Sequence, residues 1–559
     1  MVITHSNRSR FRSTVVVLAV AALAVTGAVT VGTRTTVAQT TPAGLAAAGP
    51  VEDEGADCPV NVPGSFPANS RLPDPFRKFD GTRITSKSDW RCRRAETREL
   101  AERYVYGDKP AKPASVTGTV SNSSITVNVS QNGRSASFSA GVQLPSGTGP
   151  FPAVVVVGGL GADTATIRSA GAAIISYDPL AVGREGTPRN NKQGAFYTIY
   201  GATSSTGLLA AWAWGVSRII DVIEQSGGNI LRADAMGVTG CSRYGKGAFA
   251  VGVLDQRIAL TMPIESGTAG VPAFRAVAGE SGAQPLSSAY GEQPWLGDAF
   301  GSYTGNPNGL PLDTHQLVGM VAPRGLFIME NPHVDWLGAR SGSVAALGGA
   351  EIYKALGAGS NISYWSDVQD GTHCATRSEW RTPLQQNIQK FLLKTGSAAG
   401  VFRISSRKSG NLAEWRDWQT PTLTDGPTTP PTTPPTNPPT TPPNTTPPTT
   451  PPNTTPPTTP PAGAGCSAAL SLNQWTGGFT ATVRVTAGSS PVNGWTVAAT
   501  LPSGASVTNV WNANRSGTTG TVQFTNVAYN GSLAPGQSTE FGFQGSGTGT
   551  GMTSACTAR

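Results

Sequence analysis

The run Gly240-Cys241-Ser242-Arg243-Tyr244-Gly245-Lys246-Gly247-Ala248 follows directly on the apolar stretch Ala235-Met-Gly-Val-Thr239. A serine at a tight strand-to-helix turn is raised above the carboxyl edge of a sheet, where the helix N-terminus and the next backbone N–H can hold an oxyanion. Glycines at 240 and 245 let such a turn close. The spacing is G-x-S-x-x-G, one residue longer than the usual hydrolase elbow, so Ser242 reads equally as a nucleophile or as a helix-capping serine. A nucleophilic serine needs a base, and beyond the first forty residues the histidines are His315, His333 and His373. His373, in Asp370-Gly-Thr-His-Cys374, follows a predicted strand late in the chain, where the order Ser, acid, His places the base. His315 and His333 read as structural polar contacts. The acid is expected to leave the end of a strand between them: Glu265, in Glu265-Ser-Gly267, with Asp335 as runner-up.

Cysteines bear on the same geometry. Cys241 precedes Ser242 and Cys374 follows His373, so one bridge between them would pin nucleophile and base together, with a loop-closure contribution of about 4 to 5 kcal/mol; two buried free thiols are the alternative. Cys58 and Cys92 then pair by default, and Cys466 with Cys556 ties the two ends of a later segment. Six cysteines, an even count, suit an oxidising compartment. With no C-x-x-C and so few histidines, a zinc site is not expected.

The elements that must position these residues are written in the hydrophobic pattern. Phe151-Pro-Ala-Val-Val-Val-Val-Gly-Gly159 and Gly171-Ala-Ala-Ile-Ile-Ser-Tyr-Asp178 predict short strands buried on both faces of a parallel sheet. Leu209, Trp212, Val216, Ile219, Ile220 and Ile223 predict an amphipathic helix covering it. Strands over 235–240, 258–265, 325–330 and 362–368 continue the series, and the sum is an α/β fold, most simply doubly wound, over residues 50–425. Residues 427–461 consist of 17 Pro, 15 Thr and 3 Asn, which predicts an extended polyproline spacer on the order of 100 Å long. Residues 466–559 predict an all-β sandwich, because Phe479, Ala481, Val483 and Val485 alternate with polar neighbours. At the other end, residues 1–38 read as a secretory signal peptide with a cleavage site after Ala38; a retained membrane anchor is the alternative.

Charge excludes one class of function. The net charge of +8 falls to +4 once Arg8, Arg10, Arg12 and Arg34 leave with the leader (8 − 4), which leaves little basis for nucleic-acid binding.

The run from Gly240 to Ala248 matches G-C-S-R-x-G-K-G-A throughout. With Glu265-Ser-Gly and the His373-Cys374 pair, the chain resembles the glucuronoyl esterases, the family-15 carbohydrate esterases, over most of residues 55 to 400. The resemblance implies an α/β-hydrolase that cleaves esters joining 4-O-methyl-glucuronic acid side groups of xylan to lignin alcohols. It further implies Ser242 as nucleophile, His373 as proton shuttle, Glu265 as its orienting acid and Arg243 as oxyanion donor. Lys246, Gln284, Glu292 and Trp336 fit its uronate-binding positions. The C-terminal segment resembles a family-2 carbohydrate-binding module, whose exposed aromatics correspond to Trp475, Trp511 and Tyr529, with Trp495 left as core; cellulose is the implied ligand, xylan or chitin the alternatives. No cofactor or metal is expected. The expected protein is a secreted monomer, free of the membrane after leader cleavage, its partners xylan–lignin esters and cellulose. The rival readings are an acetylxylan-type esterase and a non-catalytic wall-binding protein.

Overall fold

The computed structural model describes residues 51–425, 465–475, 477–527 and 530–558. The predicted leader and the Pro/Thr spacer lie outside the described residues.

Ten strands form one sheet in the order β1-β2-β3-β5-β4-β6-β7-β8-β9-β10. They are β1 Ser115–Val120, β2 Ser124–Gln131, β3 Arg134–Gln143, β4 Phe151–Val157, β5 Ala173–Tyr177, β6 Leu231–Cys241, β7 Ile258–Ile264, β8 Gly325–Met329, β9 Ile362–Trp365 and β10 Phe402–Arg403. From β5 to β10 every pairing is parallel. The valines of β4 show why: Val155 and Val157 enter the core on one face while Val154 and Val156 enter a second core on the other. A strand whose side chains are buried on both sides reads as a continuous apolar run, and helices must cover both faces. Helices Leu208–Gln225 and Arg243–Leu254 cover the first; Thr164–Ser169 and Ser378–Ile388 cover the second.

Two departures from the sequence reading have clear causes. Helix Leu208–Gln225 is buried all round from Leu208 to Ile223 rather than on one stripe, because the added antiparallel strands β1 and β2, helices Arg243–Leu254 and Ala195–Tyr200 and residues Glu102–Tyr106 all pack against it. Those added strands carry a one-sided pattern: Ile125, Val127 and Val129 are buried while Ser124, Thr126, Asn128 and Ser130 face out.

Strand order reverses between β4 and β6: β5 lies on one side of β4 and β6 on the other. The carboxyl ends of two such strands leave a crevice between their outgoing loops, the place where open α/β sheets bind ligands. Below it, a buried ionic cluster fixes the two helices on the first face. Arg257, just past the end of helix Arg243–Leu254, pairs with Asp255 at 2.8 Å and with Asp221 of helix Leu208–Gln225 at 2.7 Å. Glu52 closes the cluster by pairing with Lys109 and Arg218.

In residues 465–558, two four-stranded sheets carry the orders β11-β12-β17-β14 and β15-β16-β13-β18. These are β11 Cys466–Trp475, β12 Gly478–Ala487, β13 Trp495–Thr500, β14 Ser506–Trp511, β15 Ala513–Ser516, β16 Thr521–Asn526, β17 Ser538–Ser546 and β18 Thr553–Ala558. The alternating residues of β12 point into a core built around Trp495, which stacks on Phe541 with ring centroids 5.1 Å apart. The Cys466–Cys556 disulfide joins β11 of one sheet to β18 of the other. Trp475 and Trp511 end β11 and β14, the outer strands of one sheet; Tyr529 lies outside the described residues.

All six cysteines are paired as expected, Cys58 with Cys92, Cys241 with Cys374 and Cys466 with Cys556, which fits an oxidising compartment. No helix among the described residues is long and apolar enough to cross a membrane.

Glu52 carries a testable consequence. Burial alone would raise its carboxyl, but Lys109, Arg218 and Arg257 outweigh that and hold it down to about 2, from an ordinary 4.5. A depression of this size corresponds to about 3 kcal/mol of folding stability, whole above about pH 4.5 and lost as pH falls toward 2. In urea titrations, Glu52→Gln is expected to lower the unfolding midpoint at pH 7. The gap to the parent chain should close between pH 4.5 and 2.

Candidate active site

Strand β6 runs into Ser242 with φ 58° and ψ −128°, backbone that a residue with a side chain rarely adopts. The conformation is held by Ser242 N donating to Ile264 O at 3.0 Å and by Lys246 N donating to Ser242 O at 3.0 Å. Glycine is required on both sides of it. A Cβ at Gly240 would lie 2.1 Å from Tyr244 O, and one at Gly245 would lie 2.5 Å from Ile264 O. Ser242 occupies the N-cap position of helix Arg243–Leu254, yet its side chain makes no capping bond, so the helix-cap reading fails. Across the crevice, Cys241 N donates to Leu160 O at 2.9 Å, which draws the loop after β4 onto the elbow.

Glu265, just beyond β7, is fully buried. Its Oε2 accepts from His373 Nδ1 at 2.6 Å and from Cys374 N at 2.8 Å. With Nδ1 donating, Nε2 is left as the ring's acceptor. The second oxygen, Oε1, accepts from Asn331 Nδ2 at 3.4 Å and lies 3.8 Å from Nε of Arg377. Arg377 also donates to Thr372 O at 2.8 Å, which fastens the histidine loop from its far side. The Cys241–Cys374 disulfide ties the residue before Ser242 to the residue after His373, across 133 positions. Ser242, Glu265 and Cys374 are three of the seven non-glycine residues with positive φ among those described.

Asp335 does not serve His373: it points to Lys408 Nζ at 2.8 Å on the exposed surface. The runner-up acid is thereby corrected, since a carboxylate turned to the largely buried Lys408 is not aimed at the imidazole. His315 and His333 are structural, as expected, each ring bonded through Nε2 to a backbone carbonyl, Pro73 O at 2.8 Å and Val368 O at 2.9 Å.

Beside the elbow, Arg243 is half exposed and pairs through Nε with Glu185 Oε2 at 3.1 Å. Lys246, one helical turn on, is buried; its Nζ donates to Ser266 O at 2.6 Å and sits 5.1 Å from the Trp295 ring centroid. Burial lowers its amine to about 8, against the pull of Glu292, Glu330 and Glu185. Gln284 Nε2 donates to Glu292 Oε2 at 2.8 Å, and Gln284 N donates to Trp336 O at 3.1 Å, so these three residues form one rim. Trp336 is 55% exposed and meets the His373 ring edge-on, centroids 6.0 Å apart. A large exposed indole beside a base is a contact surface rather than core.

Cys241, Glu265, His373 and Cys374 bring four potential metal-binding atoms within 4.8 Å of one another. The two sulfurs are bonded to each other, and the carboxylate already holds the imidazole, so the donor set is spent.

Several residues went unseen in the sequence. Asn331 and the buried Glu330 directly follow β8, and polar residues at the end of an apolar strand were a usable signal. Burial, with Glu265 and Glu280 nearby, pushes the Glu330 carboxyl well above its ordinary range. Glu185, Trp295 and Arg377 sit in irregular loops with no local signal.

The elbow yields a test. Gly240→Ala is expected to cut esterase turnover at least about a hundredfold, because the new methyl collides with backbone and displaces Ser242. Gly161→Ala meets the Thr239 methyl at 2.7 Å rather than backbone, which lies 3.4 Å away, and should lose less. Initial rates on a small activated ester, with circular dichroism to check folding, decide between them.

Residues 127–357 match the family model described as "Glucuronyl esterase, fungi", and residues 466–558 match "Cellulose binding domain". The 4-O-methyl-glucuronoyl methylesterase of Podospora anserina is 40% identical over 399 residues, covering 68% of this chain and 81% of that protein. Its namesake from Neurospora crassa is 38% identical over 390 residues, covering 68% and 97%. A solved structure of a mutant glucuronoyl esterase from Sporotrichum thermophile, in complex with methyl 4-O-methyl-β-D-glucopyranuronate, superposes with a TM-score of 0.61 at 37% identity, covering 66% of this chain and 99% of that one. An elbow serine, a histidine held by a buried glutamate and the cations Arg243 and Lys246 beside them thus occur in a chain of matching sequence and matching sheet, and the chain belongs to the glucuronoyl esterase family of carboxylic ester hydrolases.

Proposed function

We propose that this protein is a secreted serine esterase that hydrolyses ester bonds between 4-O-methyl-glucuronic acid side groups of xylan and lignin alcohols. Residues 466–558 would hold it on cellulose. The observation that carries the reading is the Glu265–His373 pair, tied by the Cys374–Cys241 disulfide to the strained Ser242.

His373 Nε2 takes the Ser242 proton as Oγ attacks the uronoyl carbonyl, and the same proton then goes to the departing alcohol. Water, deprotonated by His373, hydrolyses the acyl-enzyme. An esterified uronate is neutral in the ground state, whereas the tetrahedral intermediate is an anion. Arg243, its backbone N–H and the helix N-terminus supply positive potential where that charge appears, about 3 to 4 kcal/mol for a well-placed donor. Lys246, with one N–H spent on Ser266 O, has two left for sugar hydroxyls. Gln284, Glu292 and Trp336 frame the same side. The C-terminal segment contains Arg484, Arg515, Glu540 and Arg559 as its charges, a surface suited to a neutral polymer; Trp475, Trp511 and Tyr529 are the proposed stacking residues.

Ser242→Ala should abolish turnover of benzyl glucuronate, with a loss of at least about 10⁴-fold. Benzyl glucuronate should be hydrolysed ahead of benzyl galacturonate and of an acetyl ester; preference for the acetyl ester would support the acetylxylan alternative, and turnover surviving in Ser242→Ala would remove the serine mechanism. Lys246 also has a signature in pH. It is a cation below about pH 8 and loses its charge above, so KM for the uronate ester is expected to rise between pH 7 and 9, a rise that Lys246→Met should not show.

A further inference from the structure

Glu185 lies in the loop that follows β5, ahead of helix Ala195–Tyr200, outside the serine relay and the rim that faces the sugar. Its carboxylate holds two donors at once: Oε2 faces Arg243 Nε at 3.1 Å, and Oε1 accepts from Trp295 Nε1 at 2.6 Å. The Glu185 side chain is 14% exposed and that of Arg243 47%, so the acid is the fixed member of the pair and the arginine the loose one. The loop itself is anchored independently. Gly186 N donates to Gln293 Oε1 at 2.7 Å, and Arg189 stacks 3.8 Å from the Tyr290 ring centroid while donating to Leu296 O at 2.6 Å. Trp295, the second donor, lies beneath the Lys246 ammonium.

We propose that Glu185 is a positioning residue for ester hydrolysis: it holds Arg243 by its Nε edge so that the remaining guanidinium N–H groups face the oxyanion, and through Trp295 it sets the platform under Lys246. The proposal rests on Arg243 acting on the oxyanion, as above. Two effects of the carboxylate oppose each other. Its charge weakens the positive potential at Arg243, while its grip removes rotamer freedom from a half-exposed side chain. Solvent screens the first. Misplacement of an oxyanion donor by an ångström or so costs between ten- and a hundredfold in rate, so the second dominates.

The signs differ, which makes a double-mutant cycle decisive. On 4-nitrophenyl acetate, Glu185→Gln in the full-length protein is expected to lower kcat about tenfold with KM within about twofold. In an Arg243→Ala background the same change should lower kcat by less than about twofold, because the residue it acts through is gone. A kcat that rises or stays level, or an equal tenfold loss without Arg243, would overturn the proposal. Should Glu185→Gln not fold, as judged by circular dichroism, Trp295→Phe removes the indole N–H together with its five-membered ring while keeping an aromatic ring beneath Lys246. It is then expected to lower kcat about threefold in the parent and not in Arg243→Ala, and equal losses in both would overturn it. Any ester passes through an oxyanion, so the cycle stays readable if the substrate assignment fails. That failure shows separately, as parent enzyme active on 4-nitrophenyl acetate but inert on benzyl glucuronate.

Discussion

A carboxylate taken out of water cannot stand unpaired, and the arrangement of this site follows from how Glu265 is satisfied. Its oxygens take an imidazole N–H, a backbone N–H, an asparagine amide and the edge of an arginine. Leaving such a charge without partners in the interior is strongly unfavourable. The loop from Asp370 to Arg377 is therefore held wherever those donors reach Glu265, and the position and tautomer of His373 are set by the acid beneath it.

Local strain is concentrated around the same group. Ser242, Glu265 and Cys374 all have positive φ, a conformation costing of order 1 to 3 kcal/mol each. They persist because the surroundings leave no alternative: glycines at 240 and 245 touch backbone where a methyl cannot fit, a disulfide closes the ring of loops, and the loop after β4 is hydrogen-bonded to the elbow. The site also stands at the reversal of strand order, where the sheet leaves an opening. Strain is thus stored at Ser242 and held by the elements packed around it.

Charge is divided between the folded units according to what each would meet. The esterase unit brings Arg243 and Lys246 beside Ser242, each opposed by a nearby carboxylate, so that cations are oriented without leaving a strongly basic surface. Burial of Lys246 makes its amine easier to deprotonate, as expected of an ammonium partly removed from water. The sandwich is nearly free of charge and is held instead by an aromatic core and one disulfide between its sheets.

Much of this was legible from the chain. The valine run of β4, the strand before Ser242, the alternation in β12 and the cysteines flanking Ser242 and His373 are local signals, since periodicity and turn chemistry act over a few residues. The same information put Glu265 first but kept Asp335 as runner-up, both near the ends of apolar strands; packing aimed one at the imidazole and the other at Lys408. Nor could residue type foretell a buried Lys246 and an exposed Trp336, each contrary to its usual preference. Glu265 meets His373 across 108 positions and Glu185 meets Trp295 across 110. Hydrophobic patterning sets which segments become strands and helices, whereas contacts over such separations depend on which strands lie side by side. That order emerges when the whole sheet closes on its two cores, and no short stretch of the chain contains it.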